Sequence, residues 1–540
     1  MRKVGLIIAI TMIAGLVLAT TTRASDVDVY NVSLQNVDTT NDEVDIKFDL
    51  AQDNTFSGTD ANDADFYDRV WIFAKYSTDS GATWNHATLT TGGSITTYAD
   101  GVGISADGMG AFCSPGTNQT VRWDYGADSV ADDATAQIRL FAIEMVLIPA
   151  GDFYAGDNVE GSGGSTDTIL DKDNDYPALI STTGNVIYST DTTYDDAQFG
   201  NSGDGIYVDG DGGISKTAAT ETNMNFNFPT GYGAFYIMKY DISQKQYCDF
   251  LNTLTQAQQN TRTEADLSNE NDANTYVMVG EGQATVSNLQ AIKASSNPSD
   301  GDPYTFGCDA DDDDTLNESD DGQWRACNEL SYPDICAFAD WAGLRPMTEL
   351  EFEKACRGGG VSAIAGEYAW GSASGSTSYS SLYHSGQADE QPSIDSGSSA
   401  NIASNVNLSG VGPIRCGAFA TSSTTRTQAG ASYYGVMELS GNLWKTLIVI
   451  GNETGRSFEG THGDGELTTT TSYEGNATNT DWPGIDSTTA RGVTGYTGSG
   501  IRGGNWKDGA VYNRVSDRAF SGHALGRREH SGGRCVRTEP

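Results

Sequence analysis

GIRGGNWKDGAVYNRVSDRAFSGHALGRREHSGGRCVR occupies residues 500–537, and two kinds of position alternate along it. One kind is typical of a scaffold, with glycine pairs, arginines and a tryptophan in segments 502–506, 514–518 and 532–537. The positions between these segments follow neither the 3.6-residue nor the two-residue period, so they do not indicate a core-packing helix or strand. They carry aromatic, charged and imidazole side chains, a mixture that suits a binding surface on loops held by a rigid frame. The alternative is an ordinary polar C-terminal region.

This alternation defines two sets of residues, the display set and the frame set. The display set, predicted to contact a ligand, comprises Lys507, Asp508, Val511, Tyr512, Asn513, Ala519, Phe520, His523, Leu525, Arg528, Glu529 and His530. The frame set, predicted to hold the fold, comprises Arg502, Gly504, Trp506, Arg514, Asp517, Arg518 and Arg534. Within the frame, Arg514, Asp517 and Arg518 are predicted to pair with one another.

Six ordered motifs, spread over residues 145–535, support a binding role by resemblance. They are MVLIPAGDF (145–153), FYIMKYDISQKQYCDF (235–250), WAGLRPMTELEFEKACRG (341–358), YAWG (368–371), GNLW (441–444) and GRC (533–535). Together they resemble the formylglycine-generating enzyme, or sulfatase-modifying factor, family over residues 144–540. The resemblance implies an α+β domain with a C-type-lectin-like fold that is low in regular secondary structure.

Within that family, three segments are most similar to the variable proteins of diversity-generating retroelements. They are GRSFEGTHGDG (455–465), DWPG (481–484) and the pattern RGGNW…RVSDR…GGRCVR at the C-terminal end. In those proteins, adenine-directed errors of reverse transcription rewrite chosen codons, and the fold displays the new side chains to a ligand. The resemblance therefore implies a variable region at 501–537 that binds a protein or glycan at a cell or phage surface.

The first 143 residues indicate an export signal and a separate module. Residues 1–24 have a basic start, Arg2 and Lys3, followed by an apolar run too short for a comfortable membrane anchor, as in a cleaved signal peptide. Residues 26–143 contain short alternating strands separated by turns, which predicts a small all-β sandwich of the immunoglobulin or fibronectin-III kind. We therefore expect an exported protein, secreted or at the cell surface, with no transmembrane span in the mature chain.

Composition excludes some partners. The formal net charge of −42 repels nucleic acid and anionic lipid, so neither is expected as a general partner.

The eight cysteines would lie in an oxidising compartment if the chain is exported. The resemblance implies a disulfide from Cys535 to the helical region 331–357, with Cys336 as the favoured partner and Cys356 as its competitor. Cys308 and Cys327 flank an acidic loop and could form another.

Three helices are predicted from capping signals. Ser243 with Gln246 begins one over 244–254, Ser331 with Asp334 begins a second to about 342, and Thr348 with Glu351 begins a third to about 357. The third helix carries Glu349, Glu351 and Glu353 in its first turns. We interpret them as a cap and dipole arrangement on a solvated face rather than as catalytic carboxylates.

Calcium is the cofactor that the chain indicates, in a structural role. Oxygen-bearing side chains stand at calcium-loop positions in the acidic 309–320 loop, although Asp314 replaces the usual glycine and Asp320 the usual glutamate. These residues are Asp309, Asp311, Asp313, Thr315, Asn317 and Asp320. The alternative is a solvated acidic loop without an ion.

The resemblance adds two calcium sites. One would use Asn401 and the Ile402 carbonyl, with Asn405 or Asn407 and the Leu408 carbonyl. The other would use Glu438, the carbonyls of Gly441 and Leu443, and an acid at position 445. Because the chain has Lys445 there, we expect an ammonium next to Glu438 in place of the ion.

Enzymatic function is not expected. The family oxidises a substrate cysteine with two active-site cysteines, and alignment from the Gly503-Gly504 pair puts Asp508 and Asn513 at those positions. Neither side chain provides a thiolate or binds copper(I), so no copper is expected. The sequence thus favours a non-enzymatic ligand-binding protein, with a structural envelope or surface-assembly protein of the same fold as the alternative.

Overall fold

The computed structural model describes most of the chain, and the statements below concern only that part. The described residues are 27–97, 103–157, 168–171, 177–181, 187–189, 206–208, 222–223, 227–267, 274–279, 286–295, 298, 301–374, 381–392, 412–488, 490–523 and 526–539. The predicted signal peptide at 1–24 lies outside them.

Strands dominate the described part, and helices are few and short. The strands are β1 Val27–Asp38, β2 Glu43–Gln52, β3 Ser57–Thr59, β4 Asp65–Ser77, β5 Asn85–His86, β6 Leu89–Ser94, β7 Ala111–Cys113, β8 Gly116–Asp124, β9 Gln137–Ile148, β10 Phe153–Ala155, β11 Ile169–Asp171, β12 Ala178–Ile180, β13 Ile187–Ser189, β14 Ile206–Val208, β15 Thr222–Asn223, β16 Phe235–Met238, β17 Ile292–Ala294, β18 Phe306–Cys308, β19 Arg345–Pro346, β20 Leu382–Tyr383, β21 Gln391–Pro392, β22 Trp444–Ile448, β23 Ser499–Arg502, β24 Ser531–Gly532 and β25 Cys535–Thr538. The helices are α1 Gln244–Leu251, α2 Gln256–Arg262, α3 Tyr332–Trp341, α4 Glu349–Arg357, α5 Arg426–Ala429 and α6 Glu453–Arg456, with a 3-10 turn at Ala510–Asn513.

The N-terminal residues form two sheets that face each other. One is four-stranded, in the order β1-β2-β8-β6. The other includes β4, whose partners are β9, β3, β5 and β7. Apolar side chains of β2, β4 and β8, among them Ile46, Ile72 and Trp123, pack together between the sheets. Apolar residues alternate along β2 as predicted, but burial does not alternate, because Asp45 and Asp49 on the other face are buried too.

The second sheet continues into the rest of the chain. It has eight strands, with the main path β19-β25-β16-β9-β4-β3. β9 pairs with β4 from Gln137 to Val146, and its last residues, Met145 to Ile148, pair with β16. The predicted boundary between residues 143 and 144 therefore falls inside one strand, because both neighbours of β9 need it as a hydrogen-bonding partner.

Side chains also join the N-terminal residues to the C-terminal part. The Trp71 indole donates a hydrogen bond of 2.9 Å to the Ala342 carbonyl. The Arg537 guanidinium contacts both carboxylate oxygens of Asp107, at 2.7 and 2.6 Å. One continuous core includes Trp71 and Phe73 together with Trp341. The N-terminal residues are thus packed into the C-terminal domain rather than joined to it by a linker.

Capping explains where the helices begin. α1, α3 and α4 begin after Ser243, Ser331 and Thr348, and each cap is a reciprocal capping box, as predicted. α1 ends at Leu251 rather than at 254, because a second capping box, Thr255 with Gln258, begins α2. Helix α2 was not predicted. Among the described residues, no helix combines the length and apolar character needed to cross a bilayer.

Candidate functional site

The ends of the C-terminal stretch are both fixed to β22. β23 pairs with β22 in antiparallel fashion, with Arg502 opposite Lys445, and β24 pairs with it in parallel, with Ser531 opposite Trp444. Residues 503–530 therefore connect two strands that both pair with β22. This arrangement makes the intervening segment a loop whose two ends are rigid.

A glycine turn opens this loop. Gly503 and Gly504 have φ values of +79° and +62°. A Cβ atom on Gly503 would lie 2.3 Å from the Leu439 carbonyl oxygen, and one on Gly504 would lie 2.0 Å from Asn513 Oδ1. The turn therefore requires glycine at both positions.

Buried arginines of the frame set are paired with helix α4. The Arg502 guanidinium donates to Glu349 at 2.7 Å and also contacts Glu353, and Arg518 donates to both oxygens of Glu349 at 2.8 and 3.0 Å. All four side chains are fully buried. Burial alone would raise the pKa of Glu349, but the facing Arg518 and Arg502 charges outweigh it and hold that pKa below its usual value.

These contacts bear on two predictions. Arg518 pairs with Glu349 on α4, a partner that the predicted trio of Arg514, Asp517 and Arg518 did not include. The Arg514 guanidinium lies beside Gly366. The prediction that the α4 glutamates form a solvated face is wrong, because all three are buried. Glu349 and Glu353 pair with arginines of the C-terminal stretch, and Glu351 pairs with Arg345 of β19.

Arg534 fixes the far end of the loop. It donates to the Asp241 carboxylate at 3.1 and 2.7 Å and to the carbonyls of Met238, Lys239 and Met437. Trp506 is partly buried, and its indole donates to the Glu529 carbonyl at 3.0 Å. The tryptophan thus bridges the two ends of the loop.

Most of the display set lies at the surface between these anchors. Lys507, His523 and Arg528 are exposed. The partly exposed members are Asp508, Val511, Tyr512, Ala519, Phe520, Glu529 and His530. Leu525 lies outside the described residues.

Aromatic rings form the centre of this surface. The Tyr512 and Phe520 ring centroids are 5.0 Å apart, and the His523 ring is 5.1 Å from Phe520. Beneath them, the buried Trp444 ring lies 5.7 Å from Phe520. Trp444 was not among the predicted site residues, although it stands in the GNLW motif, which could have indicated it.

Charged groups border the rings. Lys507 forms an ion pair with Glu529, and the His530 ring nitrogen lies 3.8 Å from the other Glu529 oxygen. Asp508 accepts hydrogen bonds from the Trp444 indole at 3.2 Å and from Asn505 at 2.7 Å. Burial lowers the pKa of His530, so the ring is biased toward its neutral form. The surface therefore combines aromatic area with groups of both charge signs.

Asn513 does not belong to this surface. It is fully buried, and its amide packs against the Gly504 turn. The 3-10 turn at Ala510–Asn513 leaves Tyr512 partly exposed and places Asn513 inside. The prediction that Asn513 contacts a ligand is therefore wrong.

The two aligned cysteine positions of the enzyme family differ in exposure as well as in chemistry. Asp508 is partly exposed and hydrogen-bonded to Trp444, whereas Asn513 is buried. All eight cysteines of the chain are described, and all are buried thiols. No thiol of this chain is therefore positioned at the surface of the loop.

The predicted disulfides are not formed in this structure. Cys535 lies against the Ile335 carbonyl, one residue from its predicted partner Cys336. The Cys308 thiol lies beside Cys248 of α1 and is not bonded to Cys327. The loop flanked by Cys308 and Cys327 is closed by polar contacts instead.

The acidic 309–320 loop brings together only some of its predicted calcium ligands. Asp309, Asp311 and Asp313 lie close enough to share an ion. Thr315 and Asn317 are used differently, because the Thr315 amide donates to Asp313 and the Asn317 side chain accepts the Cys308 amide at 3.1 Å.

Asp309, Asp312 and Asp314 surround the Lys293 ammonium. Asp309 is thus shared between this ion pair and the predicted calcium ligands, and calcium binding by the loop stays a prediction. The other predicted ligands, Asn401, Ile402, Asn407 and Leu408, lie outside the described residues.

Lys445 occupies the position expected of a second ion. Its ammonium donates to the Leu443 carbonyl at 2.7 Å and to the Gly441 carbonyl, the two carbonyls predicted as calcium ligands. The ammonium also lies 3.9 Å from the Asp241 carboxylate, which was not the expected partner. Glu438 accepts the Gly417 amide instead, at 2.7 Å.

Comparison with known proteins bears on the domain as a whole. A family model described as the sulfatase-modifying factor enzyme 1-like domain matches residues 131–539. A search of curated proteins finds no match. The matched region begins before β9 and includes the glycine turn, the display set and the arginines that anchor it.

Proposed function

Because the chain belongs to the sulfatase-modifying factor enzyme 1-like family over residues 131–539, we propose that it uses this domain to bind a ligand rather than to modify one. The observation that carries the proposal is the division of one loop into two parts. Arg502, Arg518 and Arg534 of the frame set are buried against α4 and Asp241, while aromatic and charged side chains between them are exposed or half-buried. A rigid frame with a variable surface is the arrangement that binding loops require.

The ligand-binding surface is centred on Tyr512 and Phe520. Aromatic and arginine side chains dominate the energetics of protein interfaces, at about 2 kcal/mol or more for a central residue. The buried Trp444 beneath these rings fixes their position, and Arg528 adds an exposed guanidinium. Such a surface suits a protein or glycan at a cell or phage surface.

The domain is of the variable-protein type diversified by retroelements, with a C-type-lectin-like fold. Support comes from the RGGNW…RVSDR…GGRCVR pattern, whose fixed letters coincide with buried anchors such as Arg502, Arg518 and Arg534. The intervening positions tolerate change because few of them hold the fold. Export to the surface is supported by the basic and apolar start of the chain.

The domain has no oxidase activity and uses no copper. Asp508 and Asn513 replace the two cysteines of the enzyme family, and the carboxylate and amide cannot form the thiolates that hold copper(I). A structural assembly protein with the same fold is the alternative. In that case, contacts with a partner subunit would keep the identities of the surface residues constant, and these residues would not vary.

A display experiment tests the proposal. The full chain is shown on yeast with codons for Lys507, Asp508, Tyr512, Phe520 and Arg528 randomised, and folding is scored by protease resistance before selection on immobilised proteins and glycans. A matched library randomises exposed residues of the N-terminal sheets. We expect both libraries to fold and only the first to yield binders. Loss of folding in most members of the first library would contradict the proposal.

A further inference from the structure

A buried lysine lies at the centre of the acidic 309–320 loop. Lys293 stands on β17, which pairs with β18, and the loop begins directly after β18. The lysine is 1% exposed. Its ammonium lies 2.6 Å from Asp309, 3.1 Å from Asp312 and 2.7 Å from Asp314.

The geometry matches an ammonium rather than a calcium ion. An ammonium has three N–H donors, and three carboxylate oxygens receive them here at hydrogen-bond distances. Calcium needs about six to eight oxygen ligands at about 2.3–2.6 Å. Asp309, the one fully buried carboxylate of the three, is also held by the amides of Asp313 and Asp314, at 3.2 and 3.1 Å.

The Asn317 and Asp321 side chains hold the loop closed through hydrogen bonds to its backbone. Asn317 exchanges two hydrogen bonds with Cys308, its amide donating to the carbonyl at 2.8 Å. The Asp321 carboxylate accepts the amides of Ala310 and Glu318 at 3.2 and 2.6 Å. Asn317, one of the predicted calcium ligands, is therefore committed to the backbone.

We infer that Lys293 is the built-in cation of the 309–320 loop, so that the loop folds around an internal ammonium without a divalent ion. Lys445 repeats the arrangement elsewhere, where its ammonium takes up the carbonyls of Gly441 and Leu443. In both places, a lysine of the chain supplies the positive charge that a calcium ion would otherwise supply. The folded state around the loop is then independent of calcium in its surroundings.

The test measures the melting temperature of the full chain in chelator and in millimolar calcium. For the wild type, we expect that calcium does not raise the melting temperature by binding to the loop. Lys293→Met removes the ammonium and leaves its carboxylates facing one another, so it should melt at a lower temperature in chelator. Calcium should then restore roughly 1–3 °C or more, because an ion that binds only the folded state stabilises it.

A second variant keeps the inference open to refutation if Lys293→Met does not fold. Asp311→Asn with Asp313→Asn removes two exposed acids on the wild-type background, where little should change. A wild-type rise with calcium that this double variant abolishes would overturn the inference, since the loop would then hold an ion beside the lysine. A rise that survives the double variant comes from another site and leaves the inference standing.

Discussion

Tyr512 and Asn513 are neighbours in the chain, yet one lies in an aromatic surface and the other lies inside the domain. The Tyr512 ring is 5.0 Å from Phe520 at the surface, while Asn513 packs against the glycine turn. Because the segment has no helical or strand period, its sequence does not reveal which residue of such a pair turns inward. That difference decides which residues can contact a ligand without altering the fold.

Substitutions in the display set should separate binding from stability. Tyr512→Ala and Phe520→Ala should abolish capture of a ligand obtained by display selection, while the melting temperature stays nearly unchanged. Trp506→Ala and Asp517→Ala, in the frame set, should lower the melting temperature. Thermal melts and a binding titration on the same preparations check both expectations. If Tyr512→Ala and Phe520→Ala unfold the protein, these rings belong to the core and the surface has been misassigned.

The residues at positions 508 and 513 predict the absence of formylglycine formation. Incubation with copper and a sulfatase-type peptide should leave the peptide cysteine unmodified, as judged by mass spectrometry, because neither side chain supplies a thiol. An active member of the enzyme family serves as the positive control. Conversion of the peptide by this chain would refute the argument from Asp508 and Asn513.

At the scale of elements, α4 is the helix on which the loop depends. Its amino-terminal half presents Glu349 and Glu353, which bind Arg502 from β23 and Arg518 from the loop. The capping box at Thr348 and Glu351 orients that half of the helix. A change at Glu349 should therefore disturb the loop although the residue is far from it in sequence.

Glu349→Gln should destabilise the domain by about 3–5 kcal/mol, because it removes the buried carboxylate that the Arg518 and Arg502 guanidiniums share. The pKa of Glu349 lies below its usual value because Arg518 and Arg502 outweigh the effect of burial. Its stabilising contribution is therefore present above the unfolded pKa of about 4.3 and is lost as the pH falls through the lower folded pKa.

Chemical denaturation at neutral and acidic pH measures both effects. The wild type should lose stability in acid more steeply than Glu349→Gln. Lys245→Gln, which removes an exposed ion pair with Asp249, is the control and should cost little. Equal stability of the wild type and Glu349→Gln at neutral pH would contradict this role of α4.

Local signals in the sequence predicted individual helices and strands well. Contacts between residues far apart in the chain could not be predicted from it. The capping boxes that begin α1, α3 and α4 involve residues three apart, so they can be recognised from the sequence. The pairing of Arg502 with Glu349 joins residues on separate elements, and arginine and glutamate are too common for the pattern to indicate it. The neutralisation of Asp309 by Lys293 escaped prediction for the same reason, because the lysine stands on a neighbouring strand.

At the scale of the whole molecule, the N-terminal residues and the family domain share one sheet and one core. β9 carries partners on both edges, and Lys239 reaches across to Asp68 and Glu144 at 2.6 and 2.7 Å. The alternating pattern predicted the N-terminal strands, but nothing in it indicated that β9 would continue into the next domain.

A shortened chain of residues 144–540 should therefore fail to fold stably. It would lose the partners of Trp341 and Arg537 and the strand that covers one edge of β9. Circular dichroism and limited proteolysis, compared with a chain beginning at residue 26, check this expectation. A cooperative melt of the shortened chain at the temperature of the longer one would show that the domains are independent.

The central claim is that residues 501–537 combine a fixed frame with a surface that is rewritten, and sequencing the DNA around the gene in several isolates tests it most directly. The account predicts a near-copy of codons 501–537 that differs mainly at adenines and lies close to a reverse-transcriptase gene. The differences should fall on exposed positions such as Lys507, Tyr512 and Phe520 and spare Arg502, Gly504 and Arg518. The absence of such a copy, with substitutions spread evenly over both sets of residues, would contradict the account.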